Sequence, residues 1–547
     1  MGCDCCCSLS AIVYGVGLFV IASKLLPFIH KMFFKKDKPE LQEKDWKKDV
    51  FNGNSTCSSI SPFCVKIEAF LRIHNIKFVR RNTMSGRGSN GKLPAVELNG
   101  EQIADSQVII KRLAEKFHIK EYETPEKAAI ARAVERMADN HTFYALMHWK
   151  GQDMGKVLAS VARGFMPAIL IDFVAPIKGR IGATIGKFSE EEYKELLRSD
   201  FTALQIILGS KKFLIGEKPT AADATVFSQL STVYYLAPGC SMYPCQLLDT
   251  DEYAPLKQWL ERVRDTAIVC DCCGLSTCVY GLGVFVIASK ILPFFRSMFF
   301  KKDKQELQEK DWKKDVVYLY QFNGNSTCSS ISPFCVKIEA FLRIHNIKFE
   351  RRNTMSGRGS NGKLPLIELN GEQIADSQII IKRLAEKFHI NEYEIPEKAA
   401  IARAVERMAD NHTFQYDMGK VVASVARGFM PAFLIDFLAP VMGYFMGRKV
   451  QKGIAGSIGK FSDEEYKELL RSDFTALQNI LGSKKFLIGE KLTAADATVF
   501  GQLSTVYYLA PGCSMYPCQL LDTDEYAPLK QWLERVRDIV FGNEFHA

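Results

Sequence analysis

The hydrophobic and polar positions in the second half of the chain predict a strand, a helix and another strand. Val316 to Tyr320 is a run of β-branched and aromatic residues, which is typical of a buried strand. Ser332 then begins an amphipathic helix that extends to His345, with proline in its first turn. Serine at the N-cap and proline in the first turn are both favoured at the start of a helix. Residues 347–351 return to the strand pattern.

A hairpin and a further helix follow in the same pattern. Residues 363–369 predict a third strand, Asn370-Gly371 predicts a tight turn, and residues 373–375 predict a fourth strand. Asp376-Ser377 caps a helix that extends to His389. The predicted order is therefore β-α-β-β-β-α, a strand-helix-strand unit with a hairpin after it.

The rest of each half favours helices alone. Residues 126–140 and 190–208 have helical spacing, and residues 463–481 repeat the second of these helices. A capping-box pattern stands before an apolar run at Thr220–Asp223 and again at Thr493–Asp496. This pattern predicts the start of a core helix and carries no information about catalysis.

Long stretches of the chain occur twice. The stretch NSTCSSISPFCVKIEAFLRIHNIKF begins at Asn54 and returns unchanged at Asn325, and TAADATVF at Thr220 returns at Thr493. The spacing of roughly 270 residues is far longer than the roughly 20–50 residues of a solenoid repeat. We therefore expect two full-length copies of one protein in tandem, with two domains in each copy.

An apolar segment precedes each copy. Residues 8–23 and 272–289 carry no charge, and lysines follow both segments. With the residues that follow, each segment approaches the roughly 20 residues of a membrane-spanning helix. Cysteines cluster beside both segments, which favours S-acylation and an anchor over a span. The sequence therefore predicts a membrane as a partner.

Composition narrows the class of protein. The chain has 547 residues, of which 47% are hydrophobic and 24% are charged, as in a globular protein. The net charge of +9 is spread thinly, without a basic stripe interleaved with aromatics, so we expect no nucleic-acid partner. The 16 cysteines do not form the dense scaffold of a small secreted protein, which favours a reducing compartment. No metal site is predicted.

Three short motifs lie in the β-α-β-β-β-α region. In the second copy they are Ser332-Pro333-Phe334-Cys335, Leu364-Pro365 and Asp376-Ser377. In this order they resemble the thioredoxin-like N-terminal domain of glutathione transferases. There, Leu364-Pro365 would be the cis-proline and Asp376-Ser377 would bind the γ-glutamyl end of glutathione. The F-L-x-G and T-x-A-D sequences that follow resemble the all-helical C-terminal domain of the same enzymes.

The resemblance implies an α/β plus all-α fold, present as two tandem copies. Each copy would have a thioredoxin-like domain, then a helical glutathione-transferase-like domain, with an apolar membrane segment before it. The expected parts are a Cys-rich anchor at 1–38, a thioredoxin-like domain with a truncated central strand at 39–123, a helical domain at 124–265, a Cys-rich apolar segment at 266–305, a thioredoxin-like domain at 306–394 and a helical domain at 395–547.

The resemblance also implies a glutathione site, with glutathione as co-substrate. Ser332 and Ser61 would activate its thiol, as in serine-type transferases, because a helix N-terminus favours the ionised form. Serine replaces the first cysteine of the related Cys-Pro-Phe-Cys motif, which removes dithiol chemistry. Cys335 and Cys64 are thiols near the site, although each is equally well explained as a small buried hydrophobe. The implied glutathione-binding residues are Leu364, Pro365, Asp376, Ser377, Leu93, Pro94, Asp105 and Ser106.

Within the superfamily the chain resembles the failed-axon-connections and metaxin-like group, and especially nematode cadmium-responsive proteins. The membrane segment, FFKKDK, SPFCVKIEAFLR and the KLP…IADS run carry this likeness. It implies a membrane-associated protein of the cadmium or xenobiotic stress response, at the lysosomal membrane or in the cytoplasm. Two alternatives are a non-catalytic metaxin-like membrane scaffold and a metal-sequestering tag. The tag would be formed by Cys3, Cys5, Cys6 and Cys7, because soft thiolates suit cadmium or zinc.

The two copies differ at two places. Five residues, Val317 to Gln321, have no counterpart between Val50 and Phe51. Losing the central strand predicts a crippled fold in the first copy and makes the second copy the more competent glutathione site. Residues 144–152 are replaced by two residues in the second copy, a loss close to two helical turns. The copies are also expected to pair, within the chain or as a homo-oligomer.

Overall fold

The structure is a computed structural model. It describes residues 51–53, 59, 61–80, 93–152, 188–235, 242–267, 309, 311–354, 364–410, 462–509 and 515–546. The apolar segments, the N-terminal cysteine clusters and the two-residue replacement at 415–416 lie outside the described residues. Within those ranges, no helix combines the length and apolar character that crossing a membrane requires.

The first copy begins with a four-stranded sheet and two helices. Its elements are β1 (Phe51–Gly53), α1 (Pro62–Ile73), β2 (Phe78–Arg80), β3 (Ala95–Leu98), β4 (Glu101–Ala104) and α2 (Ser106–Lys116). The strand order is β2-β1-β3-β4, with β1 parallel to β2 and the other pairs antiparallel. A strand-helix-strand unit followed by a hairpin is the predicted order.

Helices form the rest of the first copy. They are α3 (Pro125–Met137), a π-helical turn (Ala138–Thr142), α4 (Phe143–Gln152), α5 (Glu190–Leu208), α6 (Ala221–Tyr234), α7 (Tyr243–Leu248), a 3-10 turn (Asp251–Tyr253) and α8 (Ala254–Ala267). Helix α6 lies against α1 of the thioredoxin-like part, so the two parts share a core.

The second copy repeats this architecture. Its sheet has the order β6-β5-β7-β8. The elements are β5 (Val317–Gln321), α9 (Pro333–Ile344), β6 (Phe349–Asn353), β7 (Leu366–Leu369), β8 (Glu372–Ala375), α10 (Ser377–Lys387), α11 (Pro396–Met408), α12 (Asp463–Leu481), α13 (Ala494–Tyr507), α14 (Tyr516–Leu521), a 3-10 turn (Asp524–Tyr526), α15 (Ala527–Val540) and a last 3-10 turn (Gly542–Glu544). The prediction of two tandem copies, each with a β-α-β-β-β-α part followed by helices, is confirmed.

The central strand of the first copy corrects one prediction. Phe51–Gly53 takes the central position of the sheet, although the matching residues of the second copy lie in the loop after β5. Phe51 pairs with Phe78 as Val317 pairs with Phe349. Residues 51–53 therefore occupy strand positions that belong, in the second copy, to residues five positions earlier in the matching sequence. The central strand of the first copy is therefore truncated, as predicted, whereas the expectation that this strand is lost is wrong. The strand is three residues long rather than five.

Both predicted capping boxes are present, and the aspartate of each also binds groups outside the helix that it caps. Asp496 accepts hydrogen bonds from the Thr493 backbone N–H, the Thr493 hydroxyl, the Leu487 N–H and the Trp532 indole N–H, at 2.9 to 3.1 Å. Asp223 makes the same four bonds in the first copy. This one carboxylate therefore fixes the start of α13, the preceding loop and α15.

The two copies pack against each other through their helical parts. Helix α3 lies against α11 and α12, and α5 lies against α11. Arg132 binds Asp473 with a closest N–O distance of 2.6 Å, and Arg403 binds Asp200 at 2.7 Å. Each ion pair joins α3 or its counterpart α11 to the long helix of the other copy.

Candidate functional site

The sheet register brings the predicted site residues of the second copy to one edge. Tyr320 near the end of β5 pairs with Leu366, and Leu366 pairs with Ala375 at the end of β8. Pro365 directly precedes Leu366, and Asp376 directly follows Ala375. The loop that leaves β5 leads to Ser332 at the start of α9. The site residues therefore collect at the carboxyl end of the central strand.

Both predicted cis-prolines are confirmed. The Leu364-Pro365 and Leu93-Pro94 peptide bonds are cis. Leu364 is buried, with 7% of its surface exposed, while Leu93 is half-buried.

Asp376 has an uncommon backbone conformation for a residue that caps a helix. Its φ is 77° and its ψ is 126°, whereas a residue before a helix normally has an extended backbone with negative φ. Its carboxylate accepts a hydrogen bond from the Gln378 N–H at 2.9 Å. Asp105 has φ 76° and ψ 129° and the same bond to Gln107. Strained backbone of this kind clusters at ligand sites, so the feature points beyond capping.

Burial controls the charge of these carboxyl groups. Burial raises the pKa of Asp376 above its ordinary value of 3.8, against the bond from Gln378 and the charge of Lys337. Burial likewise raises the pKa of Asp105 to about 6. A positively charged ligand group would favour the ionised carboxylate and reverse this shift. Ser377 and Ser106, the next residues, are buried at the start of their helices.

Ser332 is half-buried at the N-cap of α9, and its hydroxyl does not cap the helix. Its side chain lies near Cys335 one turn later and lowers the pKa of that thiol, although burial has the larger effect. Cys335 is fully buried, and burial raises the pKa of its thiol to about 11. Burial also raises the pKa of the Cys64 thiol beside Ser61. Both shifts favour the protonated thiol, which is the unreactive form.

A buried ion pair beneath Asp376 was not predicted from the sequence. The Lys337 ammonium lies 2.7 Å from the Asp410 carboxylate, and both side chains are essentially unexposed. The Gln502 amide donates to the other Asp410 oxygen at 3.3 Å. Because a fully buried lysine is rare without a partner, the lysine within the otherwise apolar start of α9 was the available signal. Through Lys337, Asp410 and Gln502, the pair links α9, the turn directly after α11, and α13 behind the candidate site.

The first copy has the same buried ion pair, but the loop that joins its central strand to Ser61 is shorter. Lys66 binds Asp139 at 2.7 Å, and Gln229 donates to Asp139 at 3.0 Å. The central strand has taken five residues from the loop, so fewer residues join Gly53 to Ser61 than join Leu319 to Ser332. The two sites therefore differ in the loop beside the serine and agree in the Asp-Ser segment.

The longer loop of the second copy is fixed by the helical part. Asn325 donates its amide to the Leu509 carbonyl at 2.9 Å, and the Thr327 hydroxyl donates to the Tyr508 carbonyl at 2.5 Å. Gly324 lies so close to Cys328 that an added Cβ would be 1.9 Å from the Cys328 carbonyl oxygen. This loop, which leads to Ser332, thus has a defined shape. The matching residues 54–58 are not among the described residues.

Metal binding finds no support within the described ranges, where no group of three or more His, Cys, Asp or Glu side chains is placed to hold an ion. The Cys3, Cys5, Cys6 and Cys7 cluster lies outside those ranges, so the metal-tag alternative stays untested.

Comparison with protein families matches both parts of both copies. A family described as "Glutathione S-transferase N-terminal domain" matches residues 62–154 and 333–418. A family described as "Glutathione S-transferase, C-terminal domain" matches residues 197–263 and 470–536. Together these segments span more than half of the chain.

Three relatives illustrate the range of similar proteins. Failed axon connections from Drosophila melanogaster is 31% identical over 44% of this chain and 61% of its own length. Metaxin-2 homolog from Caenorhabditis elegans is 22% identical over 36% of this chain and 89% of its own. Isoprene-epoxide–glutathione S-transferase from Rhodococcus is 26% identical over 32% of this chain and 79% of its own. The chain thus covers about three fifths of the Drosophila protein.

Among solved structures, a glutathione S-transferase from Ceriporiopsis subvermispora in complex with glutathione matches 40% of this chain and 97% of that one. The sequence identity is 18% and the TM-score is 0.30.

Proposed function

Since the chain belongs to the metaxin-like branch of the glutathione S-transferase superfamily and carries the transferase domain pair twice, we propose that it is a membrane-associated, glutathione-transferase-like protein. Glutathione would bind the second copy at Ser332, Leu364-Pro365 and Asp376-Ser377. The observation that carries this proposal is the backbone of Asp376, held at φ 77° at the edge where these residues meet.

The proposed binding mode follows from charge. The Asp376 carboxylate would take the ammonium of the γ-glutamyl group. The carboxylate of that group would lie at the N-terminus of α10, where the Ser377 N–H and the helix dipole favour an anion. The tripeptide would then extend along the sheet edge toward Leu364-Pro365 and bring its thiol to Ser332.

Ser332 would act on the glutathione thiol. Its hydroxyl and the N-terminus of α9 both stabilise a thiolate, which is the reactive form of the thiol. The thiol proton passes to solvent, and the sulfur forms a bond to an electrophilic carbon while the leaving group departs with its electron pair. Serine, rather than a cysteine of this chain, is the group expected to contact the reacting sulfur, because Cys335 stays protonated.

The cellular setting is proposed from the sequence alone. Residues 8–23 and 272–289, with their neighbouring cysteines, support an acylated membrane anchor at the lysosomal membrane or facing the cytoplasm. A role in the cadmium or xenobiotic stress response rests on the likeness to nematode cadmium-responsive proteins.

A non-catalytic membrane scaffold is the second candidate. The half-buried position of Ser332 favours it, because a hydroxyl that the fold partly covers is less accessible to a ligand thiol. In that case the Asp-Ser segment would hold a peptide-like ligand or none.

Glutathione binding to the full chain tests the proposal. We expect a dissociation constant in the millimolar range or tighter by isothermal titration calorimetry. Asp376→Ala should weaken binding at least roughly ten-fold, because losing a charge-assisted bond costs about 1.5–3 kcal/mol. Asp105→Ala, the matched variant of the first copy, should leave most of the binding intact.

Either of two results would contradict part of this proposal. No binding by a chain whose circular dichroism shows it to be folded would favour the scaffold. Equal loss in Asp376→Ala and Asp105→Ala would mean that both copies bind glutathione alike.

A further inference from the structure

The last residues of the chain pack back onto the second copy. Gly542, with φ 53°, turns the chain directly after α15. Because glycine adopts a positive φ without strain, the turn brings the rings of Phe541 and Phe545 together, with centroids 4.7 Å apart. Both side chains are buried. We call residues 541–546 the tail.

The tail lies in a groove between α9, β6 and α13. Phe541 stacks on Phe500 of α13, with 5.5 Å between the ring centroids. Phe545 lies 5.6 Å from the ring of Tyr508 at the end of the same helix. The Arg343 guanidinium lies 5.1 Å from the centre of the Phe541 ring. Aromatic and cation–π contacts of this kind stabilise beyond the area that they bury.

Two arginines bind the polar groups of the tail. Arg343 in the last turn of α9 donates to the Glu544 carboxylate at 2.8 Å. Arg351 of β6 donates to the carbonyl oxygens of Glu544 and His546, at 3.2 and 3.0 Å. Both arginines also bind the buried carboxylate of Glu339, which holds them in place. The groove therefore recognises two aromatic rings, an acidic side chain and backbone carbonyls.

The groove residues recur in the first copy. They are Glu68, Arg72, Arg80, Phe227 and Tyr235. The Nε of Arg72 donates to Glu68 at 3.0 Å, and its guanidinium lies 5.4 Å from the centre of the Phe78 ring. The second copy has the same two distances at Arg343. The arginine of the first copy is therefore held in the position that binds Glu544 in the second.

The sequence of the tail does not recur. Asp538 is followed by Ile-Val-Phe-Gly-Asn-Glu-Phe, whereas Asp265 is followed by Thr-Ala-Ile-Val-Cys-Asp-Cys. In the part of the first copy that the structure describes, Glu68 is the one carboxylate bound to Arg72, and no aromatic ring stacks on Phe227. The recognition residues are thus present there without the sequence that they bind in the second copy.

We propose that the groove of the first copy, formed by Arg72, Arg80, Phe227 and Tyr235, binds a segment of another protein with the chemistry of the tail. That segment has an aromatic residue, a glycine turn, an acidic residue and a second aromatic residue. Its acidic side chain binds Arg72, and its rings contact Phe227 and Tyr235. The groove lies at the end of α1, whereas Ser61 lies at its start, so the proposal does not depend on glutathione binding.

A fluorescent peptide with the sequence of residues 539–547 tests the proposal on the full-length chain. Fluorescence anisotropy should show about one peptide bound per chain, with a dissociation constant below roughly 100 μM. Truncating the chain after Val540 should free the groove of the second copy, so a second peptide should bind. Binding to the truncated chain alone would overturn the proposal, because the first groove would then be closed or filled by the residues after Ala267. Absence of binding to both chains would overturn it too.

A doubly substituted peptide is the matched control. Phe541→Ala with Phe545→Ala removes both rings and keeps the acidic residue, so the peptide should bind at least roughly ten-fold more weakly. Equal binding of the two peptides would mean that the groove does not recognise the rings, and the proposal would fail.

Arg72→Gln assigns the site to the first copy. Glutamine removes the charge and keeps a hydrogen-bond donor for Glu68, so the affinity of the full-length chain should fall roughly ten-fold. Arg343→Gln, the matched variant of the second copy, should leave it within about two-fold, because the tail occupies that groove. Equal loss in the two variants would contradict the assignment.

Crosslinking to the unaltered chain locates the site without relying on these variants. A peptide with benzoylphenylalanine in place of Phe545 should crosslink near Tyr235, at the end of α6, as mapped by mass spectrometry of the digested protein. A crosslink confined to other parts of the chain would overturn the proposal.

Discussion

At the scale of single residues, Asp376 combines two unfavourable features. Its positive φ is uncommon for a residue other than glycine, and burial raises the pKa of its carboxyl group. The capping bond to Gln378 does not require either feature, since a residue with an ordinary extended backbone caps a helix equally well. The same combination at Asp105 shows that it belongs to the fold of the unit.

Replacing Asp376 by glycine should separate stability from binding. Glycine adopts a positive φ without strain, so Asp376→Gly should raise the free energy of unfolding by about 1 kcal/mol. Glycine is also a fair N-cap, so little capping energy is lost. Urea denaturation would measure this gain, and calorimetry should show that glutathione binding is lost. A less stable variant would indicate that the backbone strain is negligible.

The charge of Asp376 predicts a pH dependence of binding. Its pKa is raised, so the carboxyl group gains its proton at a higher pH than the ordinary 3.8 and then no longer attracts an ammonium. Glutathione affinity should therefore fall as the pH is lowered, and the fall should begin at a higher pH than for an exposed aspartate. Titrations at several pH values check this, and Asp376→Asn should remove the dependence. An affinity that falls no earlier than the titration of an exposed aspartate would contradict it.

Residue-level features were predictable where they depend on neighbours in sequence. The Thr493–Asp496 capping box follows from a local motif, and the cis-proline at Leu364-Pro365 follows from the family resemblance. The Lys337–Asp410 pair spans 73 positions and the Arg132–Asp473 pair spans 341. The spacing of hydrophobic and polar residues does not predict such distant partners, because the pairs form only when the helices pack together.

At the scale of elements, the central strand of the first copy shows how a sheet tolerates a deletion. The sequence indicated a lost strand, since the β-branched run is absent. The sheet instead pairs the backbone of Phe51–Gly53, because ladder hydrogen bonds need backbone groups and no particular side chains. The residues used come from the loop before Ser61, so the change falls on the candidate site.

Restoring the longer loop of the first copy should restore a second site. Inserting Val-Tyr-Leu-Tyr-Gln between Val50 and Phe51 reproduces the sequence of the second copy and returns the loop to its longer form. The stoichiometry of glutathione binding by calorimetry should rise from about one to about two per chain. Asp105→Ala in the inserted chain should return it to about one. An unchanged stoichiometry would mean that the loop does not decide competence.

At the scale of the whole molecule, the buried ion pairs tie the copies into one unit. Asp200 and Asp473 each receive a cation from the other copy, so unfolding one copy leaves a buried charge in the other without its partner. The stability of each copy therefore depends on the other, although their candidate sites are separate.

Matched variants of the capping aspartates should reveal this coupling. Asp496→Ala and Asp223→Ala each remove four buried hydrogen bonds, at a cost on the order of 3–5 kcal/mol. Calorimetric unfolding of the wild type should show a single transition, and either variant should shift that transition down by a similar amount. A second, separate transition in either variant would show that the copies unfold independently.

Within one chain, the closely similar faces formed by α3 with α5 and by α11 with α12 pack against each other, so each chain carries two faces that can join to another chain. Within one molecule the faces close a ring, and the tether holds them at an effective concentration on the order of millimolar. When many chains refold together above that concentration, the first half of one molecule meets the second half of the next as readily as its own. Chain growth then competes with ring closure, and refolding conditions rather than sequence decide between discrete particles and concatenated ones.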